Sequence, residues 1–173
     1  IHHYATHNII SANCLMANTV SIHIYNADSN SIFENNMTNN WRSITVGYSK
    51  NNRFYHNFFS NNTEPILILA SGYANFWDDG YPSGGNYWSG YNGTDYYKGP
   101  NQNVTGSDGI GDTAYELDTY NMDHFPLMFP SIDRPSSWTV DDDGPADFST
   151  IQEAINAASD GDTILVSSGT YYE

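Results

Sequence analysis

The chain has 173 residues, of which only 14% are charged, but 20 acidic residues against 5 basic ones give a formal charge of −15. This balance argues against nucleic acids and anionic membrane surfaces as partners, because both are bound through clustered Lys and Arg. It favours divalent cations or simple solubility in a salty medium. Cys14 is the only cysteine, so no internal disulfide is possible, and no stretch reaches the roughly 20 apolar residues of a membrane span.

A 22-residue repeat occupies the first part of the chain. Three columns of Asn recur at this spacing, namely Asn8, Asn30 and Asn52, then Asn13, Asn35 and Asn57, and then Asn18, Asn40 and Asn62. Four apolar columns keep the same register, namely Ile10, Ile32, Phe54 and Phe76; Leu15, Met37 and Phe59; Ile22, Ile44 and Ile66; and Ile24, Val46 and Ile68. Repeats of this length are typical of solenoids.

Each repeat contains three short strands and three polar corners. Ile22 and Ile24 alternate with Ser21 and His23, which indicates a strand with one buried face. The sequence therefore predicts an all-β, right-handed parallel β-helix of 22-residue coils stacked about 4.8 Å apart. The Asn columns are predicted at the corners, where Asn tolerates left-handed backbone and its amide can bond to the coils above and below. A leucine-rich repeat and a helical repeat both fit the pattern worse.

The run from Asn30 to Asn36 and its copies resemble the parallel β-helix family that includes periplasmic copper-protein accessory factors and many archaeal surface proteins. The resemblance covers Ile1 to about Trp77 and implies an extracellular or cell-surface location, and the β-helix coils themselves are predicted over residues 1–76. It says little about function, since this fold hosts lyases, hydrolases, adhesins and surface layers. The start at Ile1 rather than Met further predicts that a leader or a larger N-terminal part has been removed.

The segment 77–128 is rich in Gly, aromatic residues and Asp. It is expected to cap the open end of the solenoid, covering its last apolar layer and its strand edges. Four aromatic residues are the candidate lid, and the alternative is that they form an exposed platform for a sugar: Trp77, Tyr87, Trp88 and Tyr91.

A calcium site is predicted in the same segment. In the run from Asp108 to Asp112 two carboxylates lie four residues apart with Gly between them, and Ca²⁺ prefers six to eight oxygen ligands. This stretch also resembles the C-terminal part of the archaeal surface proteins. The predicted ligands are Asp108, Asp112 and Asp118, with Asp95 and Asp123 as outer candidates. The alternative is an Asp/Gly turn that binds no ion.

The C-terminal part reads as the start of another β-helix. Residues 129–137 are a predicted linker, and residues 138–173 contain a helix capped by Ser149 and Gln152, ended by Gly161 and followed by a strand at 163–166. The predicted assembly residues are Ile151, Ile155, Ile164 and Val166. Either the chain belongs to a tandem array, or this segment caps a neighbouring copy head to tail, or it folds back on its own chain.

Other chemistry receives little support. The coils lack the convergent carboxylates of a glycosidase, so catalysis by a polysaccharide lyase or hydrolase is the weakest hypothesis. Copper or zinc at His2, His3 and His7 is not favoured, because the cluster has no fixed geometry. Four sequons permit N-glycosylation, at Asn36, Asn61, Asn92 and Asn103.

These observations favour a non-enzymatic, extracellular building block of a filament or surface layer, stabilised by calcium. The main alternative is a carbohydrate-binding module. Self-association or glycans are the expected partners.

Overall fold

The computed structural model describes residues 1, 4–70, 72–130, 137–158 and 163–172. The chain forms two compact units, Ile1–Ile132 and Asp133–Glu173. The candidate metal ligands His2 and His3, most of the predicted linker and the predicted helix end at Gly161 lie outside the described residues.

The first unit is a parallel β-solenoid, which confirms the predicted fold class. Its coils contribute nine strands, β1 (Ile9–Ser11), β2 (Cys14–Met16), β3 (Val20–Tyr25), β4 (Ser31–Phe33), β5 (Asn36–Thr38), β6 (Arg42–Gly47), β7 (Arg53–Tyr55), β8 (Phe58–Ser60) and β9 (Ile66–Leu69). They form three parallel sheets, β1-β4-β7, β2-β5-β8 and β3-β6-β9, and each sheet is one wall of the solenoid.

The register of these sheets confirms the repeat. Ile10 pairs with Ile32 and Ile32 with Phe54, so residues 22 apart lie directly over one another. The other two walls follow the same rule. Parallel pairing stacks identical positions, and the apolar columns therefore become the buried interior of the solenoid.

One predicted member of the apolar columns is wrong. Phe76 was expected above Phe54, but Phe76 is 56% exposed and Trp77 is fully buried against Phe54, with ring centroids 4.2 Å apart. The reason is one extra residue in this turn, since Asn52 bonds to Asn75, 23 residues on. A slip of one residue exchanges the inner and outer faces of a strand.

The Asn columns form hydrogen-bonded ladders, but their backbone differs from the prediction. Within the coils, from Asn8 to Asn62, the residue before each ladder Asn takes the left-handed conformation, as His7, Ala12 and Ala17 do in the first coil. None of the ladder Asn residues has a positive φ. A left-handed conformation costs a non-glycine residue about 1 kcal/mol. The amide ladder that follows it offsets that cost.

The segment after the coils has little regular structure. Its strands are β10 (Tyr87–Trp88), β11 (Tyr97–Lys98), β12 (Val104–Thr105), β13 (Tyr115–Asp118) and β14 (Asn121–Asp123). Strand β10 adds to the second wall by pairing with β8. Strands β11 and β12 form one antiparallel pair and β13 and β14 another.

The second unit contains strand β15 (Ser137–Val140), helix α1 (Ile151–Ala157) and strand β16 (Thr163–Val166). The two strands pair in parallel, and the helix packs on both. The predicted helix start is off by one residue. Thr150, rather than Ser149, is the N-cap, and Glu153, rather than Gln152, completes the capping box.

Candidate functional site

The first Asn ladder ends inside the segment that follows the coils. The main-chain N–H of Asn75 donates to Oδ1 of Asn121 at 3.0 Å, and the indole N–H of Trp77 donates to the same oxygen at 3.1 Å. Asn121 is fully buried, and its own amide donates to Asp118 at 3.0 Å. Asn121 therefore accepts the last N–H groups of the ladder, and its own side-chain amide donates to the carboxylate of Asp118 in the cap.

The second ladder ends at a buried carboxylate. Oδ2 of Asp123 accepts the main-chain N–H of Asn86 at 2.7 Å and the indole N–H of Trp88 at 2.9 Å. Its Oδ1 accepts the N–H of Phe125 at 3.1 Å. A carboxylate suits this position because the last member of a ladder has only to accept. Burial raises the pKa of Asp123 to about 7, against the opposing effect of these hydrogen bonds.

Gly85 makes room for this carboxylate. A Cβ at Gly85 would overlap the side chain of Asp123. The assignment of Asp123 as an outer calcium ligand is therefore corrected, because its oxygens are buried and already hold protein N–H groups.

The opposite face of the solenoid is formed by the first coil. We call it the proximal face and define it by Asn8, Asn13 and Asn18 and by Ile10 and Leu15. In the coils above, each ladder Oδ1 accepts two N–H groups, as Oδ1 of Asn30 does from Asn8 at 3.0 and 2.8 Å. No described residue donates to Oδ1 of Asn8, Asn13 or Asn18. Ile10 and Leu15 pack against the core but stay half-exposed.

In the predicted calcium loop, the carboxylate of Asp95 binds main-chain N–H groups of the run that begins at Asp108. The N–H groups of Asp108 and Gly109 both donate to Asp95, at 3.1 and 2.9 Å. Asp112 instead accepts the N–H groups of Tyr96 and Tyr97 at 2.8 and 2.9 Å. Burial raises the pKa of Asp108. Desolvation also acts on Asp112, but the main-chain donors lower its pKa overall.

The predicted ligands do not converge on one point. Asp118 serves the turn into β14, where its Oδ1 accepts the N–H groups of Tyr120 and Asn121 at 2.7 and 2.9 Å. Within the described residues, three carboxylates come within 4.8 Å of one another only at Asp141, Asp142 and Asp143, in the second unit.

The candidate sugar platform is corrected at its two Trp residues. Trp77 is 0% exposed and Trp88 is 2% exposed, so neither ring offers a free face to a sugar. Trp88 stacks on Phe59 with centroids 4.4 Å apart and continues the interior column of the solenoid. Tyr87 stacks on Phe58 at 5.0 Å, and the hydroxyl of Tyr91 donates to the carbonyl of Thr113 at 2.6 Å.

The predicted glycosylation sites differ in accessibility. Asn61, Asn92 and Asn103 are exposed, whereas Asn36 is half-buried in β5 and accepts a hydrogen bond from Thr38. These sites stay predictions.

The predicted assembly residues lie on the helix and last strand of the second unit. Ile155 is 51% exposed and Val166 is 45% exposed, while Ile151 and Ile164 are half-buried. Leu165 lies between Ile164 and Val166 in β16, so its side chain points to the opposite face of the strand, where it is 55% exposed.

The described histidines are dispersed. His7 is exposed in a corner of the first coil, and His23 is exposed on β3. Nε2 of His56 lies 2.8 Å from the carbonyl of Ser83. His124 pairs with Asp78 at 2.9 Å. In the part of the chain that the structure describes, no helix is long and apolar enough to cross a membrane.

The chain was compared with known protein families. The sequence profile of the family described as periplasmic copper-binding protein (NosD) matches residues 1–93. Searches of curated proteins and of solved structures found no match.

Among the described His, Cys, Asp and Glu side chains, no compact group fits a copper site. Copper in proteins is held by imidazole, thiolate or thioether ligands in a compact group. The one compact group among the described residues, Asp141 to Asp143, offers only carboxylate oxygens, which suit harder ions. His56 and His124 already contact protein groups.

The profile match covers more than half of the chain and coincides with the stacked coils and with strand β10, which extends the second wall. The chain is therefore a member of the NosD family of periplasmic β-helix proteins.

Proposed function

We propose that this protein is a structural β-solenoid that works outside the cytoplasm and associates with further solenoid segments of the same kind. The family is described as periplasmic, and the fold is built from stacked coils. The observation that carries the proposal is the asymmetry of the two solenoid ends. Asn121 and Asp123 close two ladders at one end, whereas at the proximal face no described residue donates to the ladder oxygens.

The second unit supplies a fitting partner for the proximal face. Strands β15 and β16 form a two-stranded parallel sheet, and parallel sheets are normally extended and covered on both faces. Exposed strand edges pair readily with strands of other chains. Addition of this sheet to the proximal face of a second copy would give the N–H groups and apolar side chains that the face lacks, and repetition would build a head-to-tail filament.

Light scattering after size-exclusion chromatography, together with electron microscopy, tests this proposal. We expect the full chain to form concentration-dependent oligomers. Val166→Asp places a charge on the predicted assembly side of β16 and should reduce the average mass, whereas Leu165→Asp on the opposite side should not. A monomer at all concentrations, or an equal response to both variants, would contradict the proposal.

Calcium binding by the loop 95–112 is part of the proposed function and remains a prediction. The placement of Asp95 against the main chain of Asp108, and the repulsion between their two carboxyl groups, support it, because carboxylates that repel one another attract a divalent cation. After treatment with a chelator, addition of Ca²⁺ should release or absorb heat and raise the melting temperature. Asp108→Asn should remove both effects, and Asp118→Asn serves as the comparison. Absence of heat and of a temperature shift in the unmodified chain would contradict calcium stabilisation.

A further inference from the structure

The third Asn ladder ends without an acceptor. The main-chain N–H and the side-chain amide of Asn40 both donate to Oδ1 of Asn62, at 2.9 and 3.1 Å, as in every lower rung. Asn62 donates one side-chain bond, to the carbonyl of Met37 at 2.8 Å. Among the described residues, nothing accepts its main-chain N–H or its second amide hydrogen.

The chain path explains the missing oxygen. Trp88 pairs with Phe59, so the position three residues further on, Tyr91, corresponds to the rung above Asn62. Tyr91 turns away from the ladder, because its N–H donates to the carbonyl of Trp88 at 2.9 Å and its hydroxyl to that of Thr113. Among the described residues, no Asn or Asp side chain continues this ladder beyond Asn62, whereas the other two ladders end at Asn121 and Asp123.

A cavity of about 190 Å³ lies at this point. It is lined by Phe59, Asn62, Pro65, Trp88, Ser89, Gly90 and Tyr115. The rings of Trp88 and Tyr115 stack with centroids 4.6 Å apart. Three of the seven lining residues are aromatic, and Asn62 and Ser89 are polar, a mixture that is typical of small-molecule sites.

We propose that this cavity binds a small neutral ligand through an amide oxygen, and that the ligand is an N-acetylated sugar. In every complete rung the same pair of N–H groups holds the amide oxygen of an Asn side chain. An acetamido oxygen can take that position above Asn62. The acetamido methyl group then contacts Tyr115, since the rings of Phe59 and Trp88 are only 2% exposed, and the sugar ring extends toward the opening beside Gly90.

Charge separates this ligand from a carboxylate. None of the residues that line the cavity is basic, and the chain carries a formal charge of −15. A carboxylate would also accept two N–H groups, but it would enter without a counter-charge and against a repulsive field. A neutral amide oxygen needs only the two donors.

Size also limits the ligand. A cavity of about 190 Å³ is smaller than the sites that enclose a drug-sized molecule. It can hold an acetamido group and one edge of a sugar ring. We therefore expect millimolar affinity for a monosaccharide, with the difference between related sugars arising from the amide.

The experiment compares three probes on the full chain by isothermal titration and ligand-observed NMR. N-acetylglucosamine carries the amide and the ring, glucose carries the ring alone, and an end-blocked Asn tripeptide carries the amide on a different scaffold. We expect N-acetylglucosamine to bind at least about 10-fold more tightly than glucose, since a good hydrogen bond contributes roughly that factor. Equal binding of the two sugars, no binding of N-acetylglucosamine, or tighter binding of the tripeptide would overturn the proposal.

Gly90 provides a matched pair of variants. A Cβ at Gly90 meets no atom within 4 Å, and its backbone is not left-handed, so a side chain fits without strain. Gly90→Leu should fill the cavity and abolish binding, whereas Gly90→Ala should leave most of the affinity. Circular dichroism and the melting temperature establish that both variants fold.

Asn62→Asp tests the donors separately. It keeps an acceptor for Asn40 but removes the side-chain N–H groups, and we expect binding of N-acetylglucosamine to weaken about 10-fold with little change for glucose. An equal loss for both sugars, or unchanged binding in Gly90→Leu, would show that the ligand binds elsewhere.

Discussion

The stacked coils and the segment 75–128 are held together by the same two kinds of contact, namely hydrogen bonds between ladder side chains and stacking of interior side chains. The two regions differ in the sequence separation of the residues that make these contacts. In the coils, Asn residues and interior apolar residues repeat every 22 positions, as with Asn35 and Asn57. In the following segment, Asn57 bonds to Asn86 at a separation of 29 residues and Asn86 to Asp123 at 37. The column Phe59–Trp88–Tyr115 likewise continues with rings stacked 4.4 and 4.6 Å apart.

This difference shows that the cap is an irregular extension of the solenoid rather than a separate layer. The coils need local periodicity because each one must lie over the previous one. The cap needs only to place an aromatic ring on each interior column and a hydrogen-bond acceptor at the end of an Asn ladder. The loops that connect these residues can therefore vary in length.

The largest expected effect tests whether the interior column continues into the cap. Trp77→Ala should lower the free energy of unfolding by about 4 kcal/mol, because it removes a fully buried ring that stacks on Phe54. Its neighbour Phe76 is 56% exposed, and Phe76→Ala should cost about 0.5 kcal/mol. Urea denaturation of both variants gives the comparison. Equal costs would mean that the register shift at Asn75 is incorrect.

The next effect concerns the position of an Asn within a ladder. Asn57→Ala should cost about 3 kcal/mol, because it removes the acceptor of two N–H groups of Asn35 and one of the two donors to Oδ1 of Asn86. Asn13→Ala, at the exposed end of the same ladder, should cost about 1 kcal/mol. The same denaturation measurement applies, and a cost at Asn13 as large as that at Asn57 would contradict the ladder as the source of stability.

The third effect is a pH dependence confined to the cap. The pKa of Asp123 is raised from 3.8 to about 7 in the folded chain, so the folded state binds its proton more tightly than the unfolded state does. The resulting stabilisation is complete below about pH 4 and is lost as the pH rises through about 7. The free energy of unfolding should therefore fall by about 3 kcal/mol between pH 5 and pH 8.

Asp123→Asn should flatten this dependence, because it removes the titrating group while keeping an acceptor for Asn86. Asp112→Asn is the matched control, since the pKa of Asp112 is lowered and this carboxyl stays ionised throughout that range. A slope that survives in Asp123→Asn would assign the pH dependence to another group.

The smallest effect is expected in the second unit. Thr150→Ala removes the N-cap of helix α1 and the bond from the N–H of Glu153, at 3.2 Å, and should cost this unit about 1 kcal/mol. Ser149→Ala should cost less, because the hydroxyl of Ser149 contacts only the carboxylate of Glu153. Hydrogen exchange of the helix amides measures both changes, and the reverse order would restore Ser149 as the cap.

The candidate sites were less predictable than the coils. The sequence indicated that Asp123 belongs to a functional cluster, but nothing local shows that this carboxylate ends a ladder begun at Asn13. Gly85 leaves the space that the side chain of Asp123 occupies, but this meaning of the glycine is clear only once the contact between the two residues is known. Trp88 was an equally good candidate for a lid or a platform, because composition does not reveal which face of a ring is covered.

The sequence by itself determined the solenoid, its walls and the pairing of its coils, because parallel stacking places residues of one period in direct contact. Tertiary structure decided where the period slips at Asn75, which residue before each Asn takes the left-handed conformation, and which side chains end the ladders. The ends of the ladders depend on contacts between residues 29 to 46 positions apart, for which the chain has no fixed spacing.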